Sequence, residues 1–271
     1  MKYLRSFFNF YIDSSVHVAL SVVSLVLITI FQFKIAYDIY LLLFIFFGTI
    51  TGYNFVKYAK IAGLHHRSLA KNLRAIQLFS FFCFGGLVFL ATKISIDVLK
   101  LALLLGLLTL FYAIPLLKHK NLRSIAGLKI LVVAIVWAGV TVLLPLVTSE
   151  VPFNTDVWLT FLQRMFIVMT LTLPFEIRDL RFDDKLLKTI PQVLGIRKAK
   201  VLGVFFLMLV LLTEGLKTAV EHNELLVLLV ILTLMGVFLL GSKRKQSKYF
   251  ASFFVESIPI VWMLLWCLLI S

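Results

Sequence analysis

Long apolar runs alternate with short charged connections along nearly the whole chain. The runs lie near 16–33, 38–56, 75–92, 96–114, 128–148, 157–176, 200–217, 223–241 and 250–270. A helix needs about 20 apolar residues to cross the hydrocarbon core of a bilayer, and runs of this length and spacing predict nine spanning helices in a single membrane domain, 1–271. Several runs hold a proline at or near an end, such as Pro115, Pro145, Pro174 and Pro259. Bilayer helices tolerate these where neighbouring groups satisfy the freed backbone. The pattern predicts an all-α integral membrane bundle.

The connections separate by charge. Lys2 and Arg5 precede the first run, and Lys57, Lys60, Arg67, Lys71 and Arg74 surround the second-to-third connection. Lys118, Lys120, Arg123 and Lys129 mark the fourth-to-fifth, while the segment after the sixth run is the most basic of all. Lys243, Arg244, Lys245 and Lys248 fill the eighth-to-ninth. The intervening connections are short and poor in basic residues; that between the fifth and sixth runs offers Glu150 and Asp156. Cytoplasmic loops concentrate Lys and Arg, so the N-terminus is expected inside and the C-terminus on the opposite side. The cytoplasmic loops are then 57–73 and 177–199.

Composition agrees. Of 271 residues 61% are hydrophobic and 26 are phenylalanine, and the mean hydropathy is +1.03. The formal net charge of +14 suits basic loops against anionic headgroups. No basic cluster is interleaved with aromatics on a polar scaffold, which argues against nucleic acid. Cys83 and Cys267 each lie inside an apolar run, without metal-site or disulfide spacing. The N-terminal stretch lacks a small-residue cleavage site, so the first span is expected to be retained.

One segment changes the picture. Between the sixth and seventh runs the chain reads PFEIRDLRFDDKLLKTIPQVLG, where Glu176, Asp179 and Asp183 stand at i, i+3 and i+7. On a helix that spacing places all three on one face, and crowded carboxylates call for a cation. Hard oxygen donors suit Mg²⁺, which binds one or two carboxylates together with substrate phosphates. The interleaved Arg178 and Arg181, followed by Lys185 and Lys188, are placed to contact the same phosphates. A solvated, salt-bridged loop helix is the competing reading of mixed charge.

The segment resembles the second acidic motif of the UbiA-type intramembrane prenyltransferases. Glu176 stands where an Asp is usual, Asp179 and Asp183 match, and KTIPQVLG (Lys188 to Gly195) resembles the motif's ending. A second stretch, FYAIPLLKHKNLRSIAGLKILVVAIVWAG, places Tyr112, Pro115, Lys118 and Trp137 at positions similar to a family Tyr-x-x-Pro-x-Lys segment and its following helix. The resemblance implies a nine-helix bundle around a chamber, set in a bacterial inner membrane. It also implies transfer of a polyprenyl group from a prenyl diphosphate to an aromatic or other lipophilic acceptor, with Mg²⁺ as cofactor. The first acidic motif departs from the pattern. Asn54 occupies the place of its Asn, but the carboxylate positions that follow are Phe55, Tyr58 and Ala62, and no acid occurs between Asp38 and Asp97.

Three readings of that loss stand side by side. The chain is a transferase in which Lys57 and Lys60, aided by His65, His66 and Arg67, replace a metal ion's charge; or a non-catalytic relative that binds an isoprenoid or quinone or assists a partner; or a transporter. The last lacks paired broken helices with midplane charge. For the first, the expected ligands of one Mg²⁺ are Glu176, Asp179 and Asp183. Asn54, Lys57, Lys118, Arg178 and Lys188 are expected on the substrate, and Tyr112 at the leaving group.

Overall fold

The computed structural model describes residues 2–58, 73–113, 127–182 and 188–269, and is helical wherever an apolar run was found. We number its helices α1 (Lys2–Asp13), α2 (Val16–Gln32), α3 (Ile39–Tyr58), α4 (Leu73–Ala91), α5 (Ile96–Ala113), α6 (Leu128–Leu146), α7 (Thr155–Asp179), α8 (Ile190–Gly215), α9 (His222–Gly241) and α10 (Phe250–Leu269). Each of the nine expected runs falls on one helix, α2 to α10. By length and apolarity six of them qualify as spans, and the bent pair α1–α2 makes a seventh. α5 and α8 fall outside that criterion.

Local signals explain where helices begin and bend. Asn154 caps α7 by accepting a hydrogen bond from Val157 N–H at 3.1 Å. At the start of α8 the Gln192 side chain reaches back to accept from the Thr189 N–H at 2.9 Å, which satisfies an otherwise orphaned N–H group. Gly195 then breaks that helix with φ +78°, a conformation that costs a glycine little. Two π-helical turns interrupt the long helices, Gly139–Leu143 in α6 and Phe250–Val255 in α10. Such turns shift the face that later residues present.

From α2 to α10 consecutive helices pack side by side, except α4 and α5, and α10 returns onto α2. The largest core joins α2, α7, α8, α9 and α10 around Leu25, Ile28, Ile167, Ile231 and Trp262. A second joins α2, α3, α5 and α6. In a bilayer, close packing at small residues supplies much of helix association. Gly203 of α8 shows this: a Cβ there would meet Leu239 of α9 at 2.5 Å and Leu173 of α7 at 2.7 Å. Arg164 of α7 ties the same core together although it is only 1% exposed. Its guanidinium donates to the Leu25 carbonyl at 2.8 Å and Thr29 Oγ1 at 3.3 Å, and lies 5.4 Å from the Trp262 ring.

The α1–α2 elbow is equally specific. The two helices meet at 56° across Ser14 and Ser15, and Ser15 takes a left-handed conformation (φ 66°). Helix α3 holds the turn. Asn54 Nδ2 donates to the Ser14 carbonyl at 2.9 Å, Asn54 Oδ1 accepts from Ser15 Oγ at 2.8 Å, and the Tyr58 hydroxyl donates to the Asp13 carbonyl at 2.6 Å.

Gly203→Val, which forces both leucines aside, is expected to lower stability in detergent by about 1–3 kcal/mol, as overpacking typically does. Thermal unfolding followed by size-exclusion chromatography reads this out; an unchanged transition would show that α8 does not depend on the close approach.

Candidate functional site

The last two turns of α7 deliver the acidic segment to an internal chamber of about 600 Å³. Among the described residues four carboxylates line it: Asp13 at the end of α1, Glu176 and Asp179 on α7, and Glu256 on α10. Five cations oppose them: Lys57 of α3, Lys129 of α6, Arg178 and Arg181, and Lys248. A charge in an apolar bundle is expensive unless paired, and the pairing is visible. Lys129 Nζ lies 3.4 Å from Glu176 Oε1. Arg178 binds Asp179 through both oxygens, at 2.7 and 3.2 Å. Its guanidinium also sits 5.2 Å from the Phe175 ring. Lys248 reaches Asp13 at 3.3 Å and Asn9 at 3.1 Å.

Glu176 and Asp179 are 2% and 8% exposed, one helical turn apart on the same wall. Pro174 precedes them, and its carbonyl accepts from Gln246 Nε2 at 3.2 Å, which ties the end of α7 to the segment leading into α10. Asp183 and Lys118 lie outside the described residues. Tyr112 sits in the last turn of α5, but its side chain is likewise outside them. Lys188 is exposed just before α8, with φ +45°, and is not part of the chamber lining.

The wall formed by α3 carries an amide and an ammonium. Asn54 is buried, and its amide serves the elbow: besides Ser14 and Ser15 it donates to Ser80 Oγ of α4 at 2.8 Å. One turn later Lys57 donates to Ser15 Oγ at 3.0 Å and lies 5.6 Å from the Tyr53 ring. Glu256 and Asp13 act on the Lys57 ammonium electrostatically. Asn54, Ser15 and Lys57 thus form a chain of hydrogen bonds that fixes a cation across the chamber from the α7 acids.

Reasoning from sequence missed Glu256, Lys129 and Tyr53 as members of this site. Glu256 is a lone acid well inside the last apolar run, and intramembrane carboxylates mark function by default; that was the available signal. It follows the π-helical turn of α10, where the Ser21 hydroxyl donates to the Glu256 carbonyl and His17 Nε2 bonds the Phe253 carbonyl at 3.0 Å. Lys129 was read as loop charge, and only folding brings it to Glu176. Tyr53 partners Trp137, which the sequence had singled out: the indole Nε1–H donates to the tyrosine oxygen at 2.8 Å.

Among the described residues no three His, Cys, Asp or Glu side chains converge as metal ligands. Glu176 and Asp179 nevertheless provide hard oxygen donors on one turn beside cations. That donor chemistry fits a single Mg²⁺ whose other ligands are phosphate oxygens and water.

A bundle of apolar helices around a chamber of paired charges defines an integral membrane protein with an internal polar site. Its fold is that of the UbiA homologues. The chain superposes on a UbiA homolog from Archaeoglobus fulgidus, in a structure bound to DMAPP and Mg²⁺, with TM-score 0.62 and 14% identity, covering 97% of this chain and 98% of that one. A structure of the UbiA homolog from Archaeoglobus fulgidus bound to GPP and Mg²⁺ gives 0.62 at 16% identity, covering 97% and 99%. A structure of digeranylgeranylglyceryl phosphate synthase gives 0.54 at 16%, covering 95% and 92%. No protein-family model and no curated protein matches the sequence.

Asn54→Ala removes two hydrogen bonds from the elbow and one to Ser80 of α4. Leaving buried polar groups unmade costs about 1–3 kcal/mol each, so a marked fall in detergent thermal stability is expected. An unchanged transition with loss of ligand binding would instead make Asn54 a substrate contact.

Proposed function

We propose that this protein is a membrane prenyltransferase of the UbiA type, which moves a polyprenyl group from a prenyl diphosphate to an aromatic or other lipophilic acceptor. In this reading all nine helices α2 to α10 span the membrane, and the charged chamber opens toward the cytoplasmic side. The observation that carries it is the opposition of two walls. Glu176 and Asp179 stand on one, and the Ser15-held Lys57 ammonium on the other, in a fold whose solved representatives bind prenyl diphosphates with Mg²⁺.

The residues divide the work as follows. Glu176 and Asp179, with Asp183, would hold one Mg²⁺, which supplies charge neutralisation to the departing diphosphate when bound. Lys57, Arg178 and Lys129 bind phosphate oxygens through charge-assisted hydrogen bonds, with Lys118 as a further contact and Tyr112 beside the leaving group; Lys188, outside the chamber lining, is left out of this set. Lys57 is preorganised, so it needs no reorganisation as negative charge develops. The C1–O bond breaks with its electron pair leaving on the diphosphate. The acceptor then bonds to C1 and gives up a proton. Tyr53 and Trp137 present aromatic faces that favour an allylic cation.

One observation favours a second reading, a non-catalytic protein that binds an isoprenoid or quinone or assists a partner. Both α7 acids are already engaged by cations, Lys129 and Arg178. For a transferase, the incoming diphosphate and Mg²⁺ take over those partners.

The test is binding of geranylgeranyl diphosphate to the detergent-purified protein, with Mg²⁺ and with EDTA. A transferase site predicts Mg²⁺-dependent binding that Asp179→Ala weakens by about tenfold or more, the loss of a charge-assisted contact. Lys57→Met should weaken binding both with and without Mg²⁺. Binding insensitive to Mg²⁺ and to Asp179→Ala supports the second reading, and no binding at all removes the transferase.

A further inference from the structure

An acid inside a membrane span is costly, and its partner is the first thing to look for. Three of the chamber's carboxylates have one in a close ion pair: Asp13 with Lys248, Glu176 with Lys129 and Asp179 with Arg178. Glu256 of α10 differs. Among the described residues its carboxylate makes no hydrogen bond and no ion pair; Lys57 and Arg178 act on it electrostatically without touching it. A carboxylate in that state accepts readily from any donor that enters.

The backbone fixes where Glu256 stands. The π-helical turn Phe250–Val255 ends immediately before it, and such turns recur at functional sites. Helix α2 holds the turn by its carbonyls, with the Ser21 hydroxyl on Glu256 and His17 Nε2 on Phe253 at 3.0 Å. A carbonyl only accepts, so Nε2 carries the proton and Nδ1 accepts from the Tyr11 hydroxyl at 2.7 Å. Both nitrogens of His17 are thus committed. Ser252, Glu256 and Pro259 form the α10 wall of the chamber. Apolar surface meets the chamber on another side, where Tyr53, Val56, Val133 and Trp137 also line a second cavity of about 920 Å³. That cavity is bounded by α2 to α6, and α10 contributes nothing to it.

We infer that Glu256 is the base of the transfer: it accepts a hydrogen bond from a neutral hydroxyl of the acceptor and takes that proton. The inference rests on the proposed prenyl-diphosphate site and adds where the acceptor docks and which atom receives its proton. The C1–O bond breaks with its pair on the diphosphate, and an electron pair of the acceptor forms the new bond to C1. The hydroxyl O–H bond breaks with its pair staying on the acceptor, and the proton bonds to a Glu256 carboxylate oxygen. An acidic group is repelled by Glu256, and Lys57 and Arg178 disfavour a cation beside it. A neutral hydroxyl meets neither objection. The other titratable groups are already engaged: Asp13 by Lys248, and His17 by Tyr11 and Phe253.

The test loads the detergent-purified protein with geranylgeranyl thiolodiphosphate, whose C1–S bond resists ionisation, and titrates it with β-naphthol, naphthalene and β-naphthoate. Wild type should bind β-naphthol about tenfold or more tighter than either control, the worth of one hydrogen bond to a charged group. The isosteric Glu256→Gln should lose most of that preference. With geranylgeranyl diphosphate and Mg²⁺, its alkylation of β-naphthol should fall about a hundredfold or more, the contribution of a general base. Its affinity for geranylgeranyl diphosphate should not weaken, because a negative charge near Lys57 has been removed; this also reports that the variant is folded. Equal binding of the three probes by wild type, or an unchanged preference or alkylation rate in Glu256→Gln, overturns the base. The transferase reading survives that result if geranylgeranyl diphosphate still binds with Mg²⁺. If Glu256→Gln weakens diphosphate binding as much as alkylation, Glu256 acts through Lys57 and its assignment to the acceptor falls. If wild type does not bind geranylgeranyl diphosphate, the transferase reading falls and the base with it.

Discussion

Charge matching inside an apolar bundle governs this structure. A carboxylate or ammonium withdrawn from water must find a partner, or the helices around it cannot pack. Where Lys129 meets Glu176, α6 is fixed against α7; where Lys248 meets Asp13, the start of α10 is fixed against α1. Arg164 solves the same problem without a carboxylate, spreading its charge over a helix carbonyl, a threonine and an indole face. These contacts do more than remove a penalty. They set the relative height of the helices, and so decide which residues of α7 and α10 reach the chamber.

The chamber's two walls follow from that arrangement but differ in kind. The α7 wall is made of ion pairs, whose partners are exchangeable: an anionic ligand competes directly for Arg178 and Lys129. The α3 wall is made of neutral hydrogen bonds, from Ser80 through Asn54 and Ser15 to Lys57. Neutral partners hold the lysine in place without cancelling its charge. An ammonium anchored this way keeps its attraction for phosphate, which a lysine in a close salt bridge spends on its carboxylate.

How much of this was legible beforehand depends on how local each feature is. The helices were, because a run of apolar residues specifies a span whatever surrounds it; α4 and α9 needed nothing more. The acidic turn was legible for the same reason, since Glu176 and Asp179 share a face by spacing alone. The elbow at Ser14–Ser15 was hidden, because its staples, Asn54 and Tyr58, come from a helix some forty residues away. Asn54 carried a family resemblance to a ligand-binding position, yet the contacts it makes here are structural ones that only the folded α1–α2–α4 neighbourhood supplies. Glu256 was passed over inside an apolar run, where one acid scarcely alters the hydropathy. The π-helical turn before it, held by Ser21 and His17, leaves no mark in a periodicity built on 3.6 residues per turn.

The cation on the α3 wall also has a physical consequence for the rest of the chamber. Clusters of acids facing each other repel unless cations lie between them. Here one face carries Lys57 instead, and attraction across the gap replaces repulsion: Glu256 and Asp13 act on Lys57, while Lys129 and Arg178 hold the α7 acids. Among the described residues the chamber's carboxylates and cations are therefore close to balance. Balance of that kind obliges any anion that enters to displace carboxylates from their cations. The charged chamber and the apolar cavity beside it share Tyr53 and Trp137 in their linings, so that hydrogen-bonded pair stands where paired charge gives way to apolar surface.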